Sequence, residues 1–444
     1  MNLTERIESV ILSNLQSPKE RKIGIECESY FYDSDLRRIP TNPADRFSST
    51  DLMNEMIDLQ SNDEIKAGYS LEPGGQLEWA SPPMKSLHEI KTQFIQHNVR
   101  VSKIVKREKL KIVDYSIEPL YTPLEIELID NEKYRLMDQL FSKTGNLGQW
   151  MMRNTSSLQI NIDFSSQEEA ERMAYIADCL SPIASILFAN SPFWKGKLSG
   201  KENLRYKIWN NTDNSRCGNL LDHTIAAPNG LVKKYAQYIQ SVPAIFIEDK
   251  KGNVISYNNI LGTWLKELFY QDKLTDRHIQ IALHQIFTHV RFKNVLEIRG
   301  SDRPPLGFEL APVAFWTGLL LEDKTQNEIF NVVKTWTVKD RNKLNLSAYK
   351  LDLLQSGPDN KSIGEWIERV SDLSLRGLGK RSKKHCIENE ESFLKEYLDV
   401  FDKRGIFALL TQKELKKSGK TVREFIKWCN PYEKNGKTPD CANN

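Results

Sequence analysis

The sequence predicts an α+β protein, with strands and helices mixed through its N-terminal two thirds and helices alone after them. Three observations carry this. From about residue 20 to 310, short segments of period-two alternation are interspersed with segments of helical period. After about residue 310 nearly every apolar residue recurs at three and four spacing, as in helices packed on a common body. Four of the alternating segments share one design, apolar on one face and acidic or amide-bearing on the other.

Taken in order, residues 2–16 read as an amphipathic helix. In KIGIECESYFY, Ile23, Ile25 and Cys27 share one strand face and Glu26 and Glu28 the other. In SLEPGGQLEWAS, Pro73-Gly74-Gly75 reads as a turn or bulge, after which Leu77 and Trp79 oppose Gln76 and Glu78. Ser86 is placed to cap a long helix through LHEIKTQFIQHNVRVSKIVKREK. In SLQINIDF, Leu158, Ile160, Ile162 and Phe164 alternate with Gln159, Asn161 and Asp163. Ser165 or Ser166 caps QEEAERMAYIADCLSPIASILFAN, with a kink expected at Pro182. In NVLEIRGSD, Leu296 and Ile298 alternate with Glu297 and Arg299. The tail carries helical patterns at 325–337, 338–355, 361–378, 388–403 and 420–429. The expected division is a catalytic unit over 1–322 and a helical extension over 323–444 packed on it.

Composition excludes several classes. With 62 basic and 59 acidic residues the net charge is only +3, which argues against a nucleic-acid partner. No stretch approaches the roughly 18 uninterrupted apolar residues of a membrane span. The first residues, MNLTERIESVILSNL, put Glu5 and Arg6 where a secretory signal needs an apolar run, so a cytoplasmic protein, monomer or homodimer, is expected. The six cysteines form no CxxC pair and read as reduced thiols rather than a zinc site.

The acidic faces carry the chemistry. One reading is the solvated outer face of an antiparallel sheet. These faces contain no lysine, however, and carboxylates gathered without cations repel one another and resist ionisation. Magnesium would remove that conflict, since carboxylate oxygens are its preferred protein ligands. Carboxylates at i and i+2 on a strand stand roughly 6.5–7 Å apart, a spacing suited to two metals about 3.5–4 Å from each other. An acidic sheet face thus points to nucleotide triphosphate chemistry. With no Walker loop or kinase signature, metals and arginines must hold the phosphates. Arg299, on the face of Glu297, is placed to set a forked guanidinium on the transferring phosphoryl group.

The segments GIECESYF, LEPGGQLEWASPP, MMRNTSSLQINIDFSS, LFANSPF, RYKIWNNTDNSRCG, QIFTHVRFKNVLEIRGSD and APVAFWTGLL resemble, in order and spacing, the motifs of plant-type glutamate–cysteine ligases. The resemblance implies a glutamine-synthetase-like fold, a curved, mainly antiparallel sheet forming a funnel with helices on its outer face. It implies an ATP- and magnesium-dependent ligase that phosphorylates the γ-carboxylate of glutamate and lets an amine, cysteine or another, displace the phosphate. By position, Glu26, Glu28, Glu78 and Glu297 would bind two or more magnesium ions, with Glu72 as a further candidate. Gln159 and Asn161 would contact metal waters or phosphate, and Arg299 would clamp the phosphoryl group. Arg205, Trp209, Arg216 and Thr155 would hold the amino-acid substrate.

Residues 119–144 depart from the family pattern and keep only Tyr134, Met137 and the Gly145–Gly148 turn in common with it. This leaves the amine acceptor open between cysteine, in the first step of glutathione synthesis, and another amino acid or amine. A non-catalytic binding body is a third reading, against which the retained carboxylates and Arg299 stand. The basic run LRGLGKRSKKH (375–385) reads either as a solvated helix end or as a contact to ATP phosphates.

Overall fold

A computed structural model describes residues 2–428 of the chain. Its strands are β1 (Ile23–Tyr32), β2 (Gly68–Leu71), β3 (Leu77–Ala80), β4 (Lys111–Val113), β5 (Leu158–Ile162), β6 (Phe193–Trp194), β7 (Lys197–Leu198), β8 (Cys217–Gly218), β9 (Ile247–Glu248), β10 (Val254–Ile255), β11 (Phe287–Thr288), β12 (Val290–Phe292) and β13 (Leu296–Ile298). Its helices are α1 (Leu3–Ile11), α2 (Ser49–Asp58), α3 (Leu87–Glu108), α4 (Glu132–Thr144), α5 (Gly148–Asn154), α6 (Gln167–Leu187), α7 (Leu204–Trp209), α8 (Leu231–Ser241), α9 (Leu261–Tyr270) and α10 (Asp276–Leu283). After β13 the described chain is helical: α11 (Ala311–Leu320), α12 (Asp323–Val333), α13 (Val338–Ser347), α14 (Ile363–His385), α15 (Ser392–Arg404), α16 (Phe407–Ser418) and α17 (Val422–Trp428).

Seven strands form one sheet in the order β12-β13-β5-β1-β3-β2, with β4 beside the far end of β1. Every pairing in it is antiparallel. The apolar residues read from the alternation, Ile23, Ile25, Cys27, Leu158, Ile160, Ile162, Leu296 and Ile298, are buried against α6, α1 and the helices beyond residue 310 in one continuous core. That leaves the opposite face of the sheet to the acids. The expected caps form: the Ser86 and Ser166 hydroxyls accept the backbone N–H of Glu89 and Glu169, satisfying free helix-end donors.

Several helix boundaries differ from the sequence reading. α6 includes Pro182, as read, but ends at Leu187 rather than at Asn190. The 338–355 pattern stops at Ser347, because Leu351 N donates to the Lys201 carbonyl and Asn203 N to that of Tyr349, tying this segment to a neighbouring loop. α14 passes through Gly377 and Gly379 to His385, and its glycines serve packing rather than termination. α1 is shorter than 2–16 and ends at Ile11. Among the described residues no helix is long and apolar enough to cross a membrane.

Candidate active site

The acidic faces of β1, β3, β5 and β13 join into one wall. Glu28 stands opposite Glu78, Glu26 opposite Gln159, and Glu297 opposite Asn161. The hairpin between β2 and β3 adds Glu72. Gly75 closes that turn at φ +77°, and a side chain on Gly74 would collide with the Arg153 backbone, so both glycines are needed there. The Gln76 amide then donates to the Thr155 carbonyl at 2.8 Å and fixes the turn against the segment after α5.

The wall lines a cleft of about 300 Å³. Lys133, Tyr134 and Met137 of α4 cover it, and Thr155, Trp209, His284 and Phe287 complete its sides. Glu26 also borders a second groove of about 180 Å³, with Gly24, Ser81, Pro83 and Val295.

The carboxylates divide into two groups. Glu28, Glu72 and Glu78 form no ion pair among the described residues. Burial first, then repulsion from the neighbouring glutamates, pushes Glu28 and Glu72 up to about 7 and Glu78 to about 8. Ser157 Oγ and Gln159 Nε2 donate to Glu28 at 2.9 and 3.0 Å, and Ser70 Oγ donates to Glu78 at 2.7 Å. Glu297 is the opposite case. Arg291 forks onto both its oxygens, Lys293 Nζ lies 2.5 Å from Oε1, and Arg299 Nη1 lies 3.1 Å from Oε2. Those three cations outweigh its complete burial and hold its pKa well below the usual carboxylate range.

The donor set of Glu26, Glu28, Glu72 and Glu78 is all oxygen; Glu28 is buried, Glu72 and Glu78 are half-buried, and none of these three has an ion-pair partner among the described residues, a chemistry that fits a hard divalent cation. Among the described residues no three His, Cys, Asp or Glu side chains stand together at ion-binding spacing. Sheet neighbours hold the acids apart, as they do Glu26, which accepts from Asn161 Nδ2 at 3.0 Å.

Several expectations need correction. The acidic face is not free of cations, because β12 and its turn bring Arg291 and Lys293 to it. In this state Glu297 has both oxygens occupied by side-chain cations and none open to a metal. Gln159 and Asn161 spend their amide N–H groups on Glu28 and Glu26. Arg216 does not line the cleft: it is fully buried and donates to Asp213 and to the Gln285 and Pro243 carbonyls. Arg205 sits behind the cleft. It donates to the Arg299 carbonyl at 3.0 Å, and its guanidinium and that of Arg299 lie 5.6 and 5.5 Å from the Trp209 ring. Thr155 does line the cleft, with its hydroxyl donating to the Met151 carbonyl at 2.6 Å. Arg299 also donates to Gln159 Oε1. In the basic tail, Arg381 is buried and paired with Glu390, whose other oxygen accepts from Leu87 N, so it clamps α14 to α3. Of the cysteines, Cys27, Cys179, Cys217 and Cys386 are free thiols, while Cys429 and Cys441 lie outside the described residues.

Arg291, Lys293, Lys133 and His284 were not read from the sequence. Arg291 carried a signal, alternating with Val290 and Phe292 directly before the LEIR strand. Lys133 carried none, since the chain around it matches no motif.

A model of glutamate-cysteine ligase family 2 matches residues 22–417. The chain is 30% identical over 399 residues to chloroplastic glutamate–cysteine ligase A of Oryza sativa subsp. indica, covering 85% of this chain and 78% of that one. It is 28% identical over 411 residues to the chloroplastic enzyme of Nicotiana tabacum, covering 89% and 76%. Among solved structures, glutamate–cysteine ligase from Francisella tularensis in complex with AMP superposes with a TM-score of 0.59 at 11% identity, covering 95% of this chain and 90% of that one. A bifunctional glutathione synthetase from Pasteurella multocida gives 0.52 at 13% identity, covering 98% of this chain and 54% of its own length. These neighbours agree with the expected glutamine-synthetase-like fold. The expected cytoplasmic location is contradicted by the relatives in sequence, which are chloroplastic enzymes.

Proposed function

The chain belongs to glutamate-cysteine ligase family 2, and on that premise we propose that it joins the γ-carboxylate of L-glutamate to the amine of L-cysteine, converting ATP to ADP and phosphate. The observation that carries this reading is the polarity of the cleft, with unpaired acids along one stretch of the wall and a guanidinium and ammonium cluster beside them. A carboxylate is a poor electrophile at neutral pH. The γ-carboxylate oxygen of glutamate takes the terminal phosphoryl group of ATP with release of ADP, and attack by the amine then expels phosphate.

Each residue has a role in those two steps. Glu28, Glu72 and Glu78, with Glu26 at their edge, would hold magnesium, which when bound neutralises them and draws charge from the nucleotide phosphates. Arg299, set by Glu297, Gln159 and the Trp209 ring, presents a guanidinium to the oxygens of the transferring group. Its Nε has no partner among the described residues and keeps a donor in reserve. Trp209, Phe287 and Met137 wall the cleft with apolar surface, which shields an acyl phosphate from water.

A second reading keeps the chemistry and changes the acceptor. It is favoured by α4, which lays a stretch of the divergent segment 119–144 across the cleft. Phosphate release with ATP, magnesium and glutamate, run against a panel of amines, decides between the two. Cysteine-dependent release with γ-glutamylcysteine as product supports the first reading, and a preference for another amine supports the second. No release with any amine overturns the ligase assignment.

A further inference from the structure

We propose that Lys293 is a tethered cation that ties Glu26 to Glu297 at one end of the acidic wall in the nucleotide-free enzyme and yields Glu26 to a divalent ion only when phosphate draws it away. The inference rests on the ligase reading above and concerns how the site is loaded.

The Lys293 ammonium bridges two carboxylates, 2.5 Å from Glu297 Oε1 and 3.3 Å from Glu26 Oε1. It therefore lies between acids from two different strands. The other cations on Glu297 are fixed. Arg291 also donates to the His284 and Ile286 carbonyls, and Arg299 also donates to Gln159. The Lys293 ammonium has no bond beyond the two glutamates among the described residues, stands in the turn between β12 and β13, and lines the cleft. A lysine is a compact charge on a flexible four-carbon stem, whereas arginine's planar fork is held by several bonds at once. Lys293 is thus the member of this cluster built to move.

The wall is consequently asymmetric. Its Glu26–Glu297 end is neutralised from within, and its Glu28–Glu72–Glu78 end is not. A divalent ion entering alone gains most at the second end, since at the first it must displace a lysine already paired twice. Phosphates in the cleft offer Lys293 a competing anion, and its departure frees Glu26.

The test counts ions without turnover. Mn²⁺ is titrated into the full chain and free Mn²⁺ is read by electron paramagnetic resonance, with and without a non-hydrolysable ATP analogue. The wild type is expected to take one ion tightly alone and a second with the analogue. Lys293→Met, and Lys293→Gln as a second variant should the first not fold, should take the second ion without nucleotide, at least about tenfold tighter than the wild type does. Lys293→Arg should take one ion alone, as the wild type does, but bind the second more weakly than the wild type with the analogue present, because its fork is harder to draw away. Two equivalent ions in the nucleotide-free wild type, or an unchanged count in both neutral variants, overturns the role of Lys293 alone. No ion in any protein, with or without the analogue, overturns the metal reading of the whole wall.

Discussion

Glu28 sits in the sheet at a cost. Its carboxylate is buried, faces Glu78, and is pushed up to about 7 by burial and that neighbour, with only a serine and a glutamine donating to it at close range. A carboxyl group whose folded value exceeds its ordinary value near 4.5 binds its proton more tightly in the folded state. Its contribution to stability is therefore full below about pH 4.5 and is lost as pH rises through about 7, or about 8 for Glu78. Three outcomes are expected at this scale. Glu28→Gln should abolish ATP-dependent phosphate release yet raise Tm at pH 8, measured by scanning calorimetry, because it removes a charge that the fold resists. Magnesium affinity in the absence of nucleotide, measured by calorimetric titration, should rise between pH 6 and 8 by about tenfold per pH unit for each proton displaced. A flat profile would mean that the acids are already ionised and that the wall is neutralised in some other way. Arg299→Lys should lower kcat by about 10²–10³, the scale of losing one placed transition-state donor, with glutamate KM little changed. The carboxylates were legible in the sequence because alternation alone assigns a face to each side chain of a strand. Of the partners of Glu297, Arg299 was legible on the same strand face and Arg291 alternates with its neighbours in β12, but Lys293 lies in a turn, where alternation gives no direction.

At the scale of elements, the legible ones were those with a chemical mark at one end or a clean period through the middle. β1, β5, α3 and α6 are of this kind, two with alternating faces and two with serine caps. α4 was not read although it carries both marks, an Asn131 cap and Tyr134, Met137 and Phe141 at three and four spacing, and its burial rests on Met137 and Phe141. Yet α4 roofs the cleft with Lys133, Tyr134 and Met137, and Tyr134 donates to the Leu71 carbonyl at the end of β2. Because this roof belongs to the segment that departs from the family pattern, it is where acceptor choice should be written. Lys133→Ala and Met137→Ala are each expected to raise KM for the amine by about tenfold or more and leave KM for ATP near its wild-type value. Initial rates with each substrate varied in turn check this. A rise confined to ATP would instead make α4 a nucleotide lid.

For the whole molecule, the question is whether the helices beyond residue 322 are an attachment or belong to the body that holds the sheet. One apolar core contains Ile25 of β1, Leu158 of β5, Ile186 of α6, Phe315 of α11, Trp366 of α14 and Leu398 of α15 without a break. α11 and α14 cross at their glycines. A Cβ on Gly377 would overlap the Gly318 carbonyl, and one on Gly318 would overlap the Ser374 carbonyl, so the two backbones touch with no room for a methyl group. The LRGLG sequence, which reads as a helix stop, is a contact surface for that reason. The glycines can be told apart by what they meet. At Gly379 a Cβ would press on the carboxylate end of the Glu391 side chain, which can swing away, whereas at Gly377 it meets backbone, which cannot. Gly379→Ala should leave stability within about 1 kcal/mol of wild type, since the gain in helix propensity offsets the displaced side chain. Gly377→Ala gains the same propensity but must push apart the packed helices α11 and α14, an overpacking cost of about 3 kcal/mol or more. It is expected to lower Tm sharply and to reduce glutamate-dependent phosphate release at 37 °C, because α14 and α11 both rest on α6, whose other contacts include β12 and β13. A chain ending at residue 322 should fail to accumulate in soluble form, with Phe315, Trp316 and Leu319 uncovered. If the truncated chain folds and binds Mn²⁺ as the full chain does, residues 323–428 are an attachment, and the sheet needs only α6 and α11 to hold its acidic wall in register.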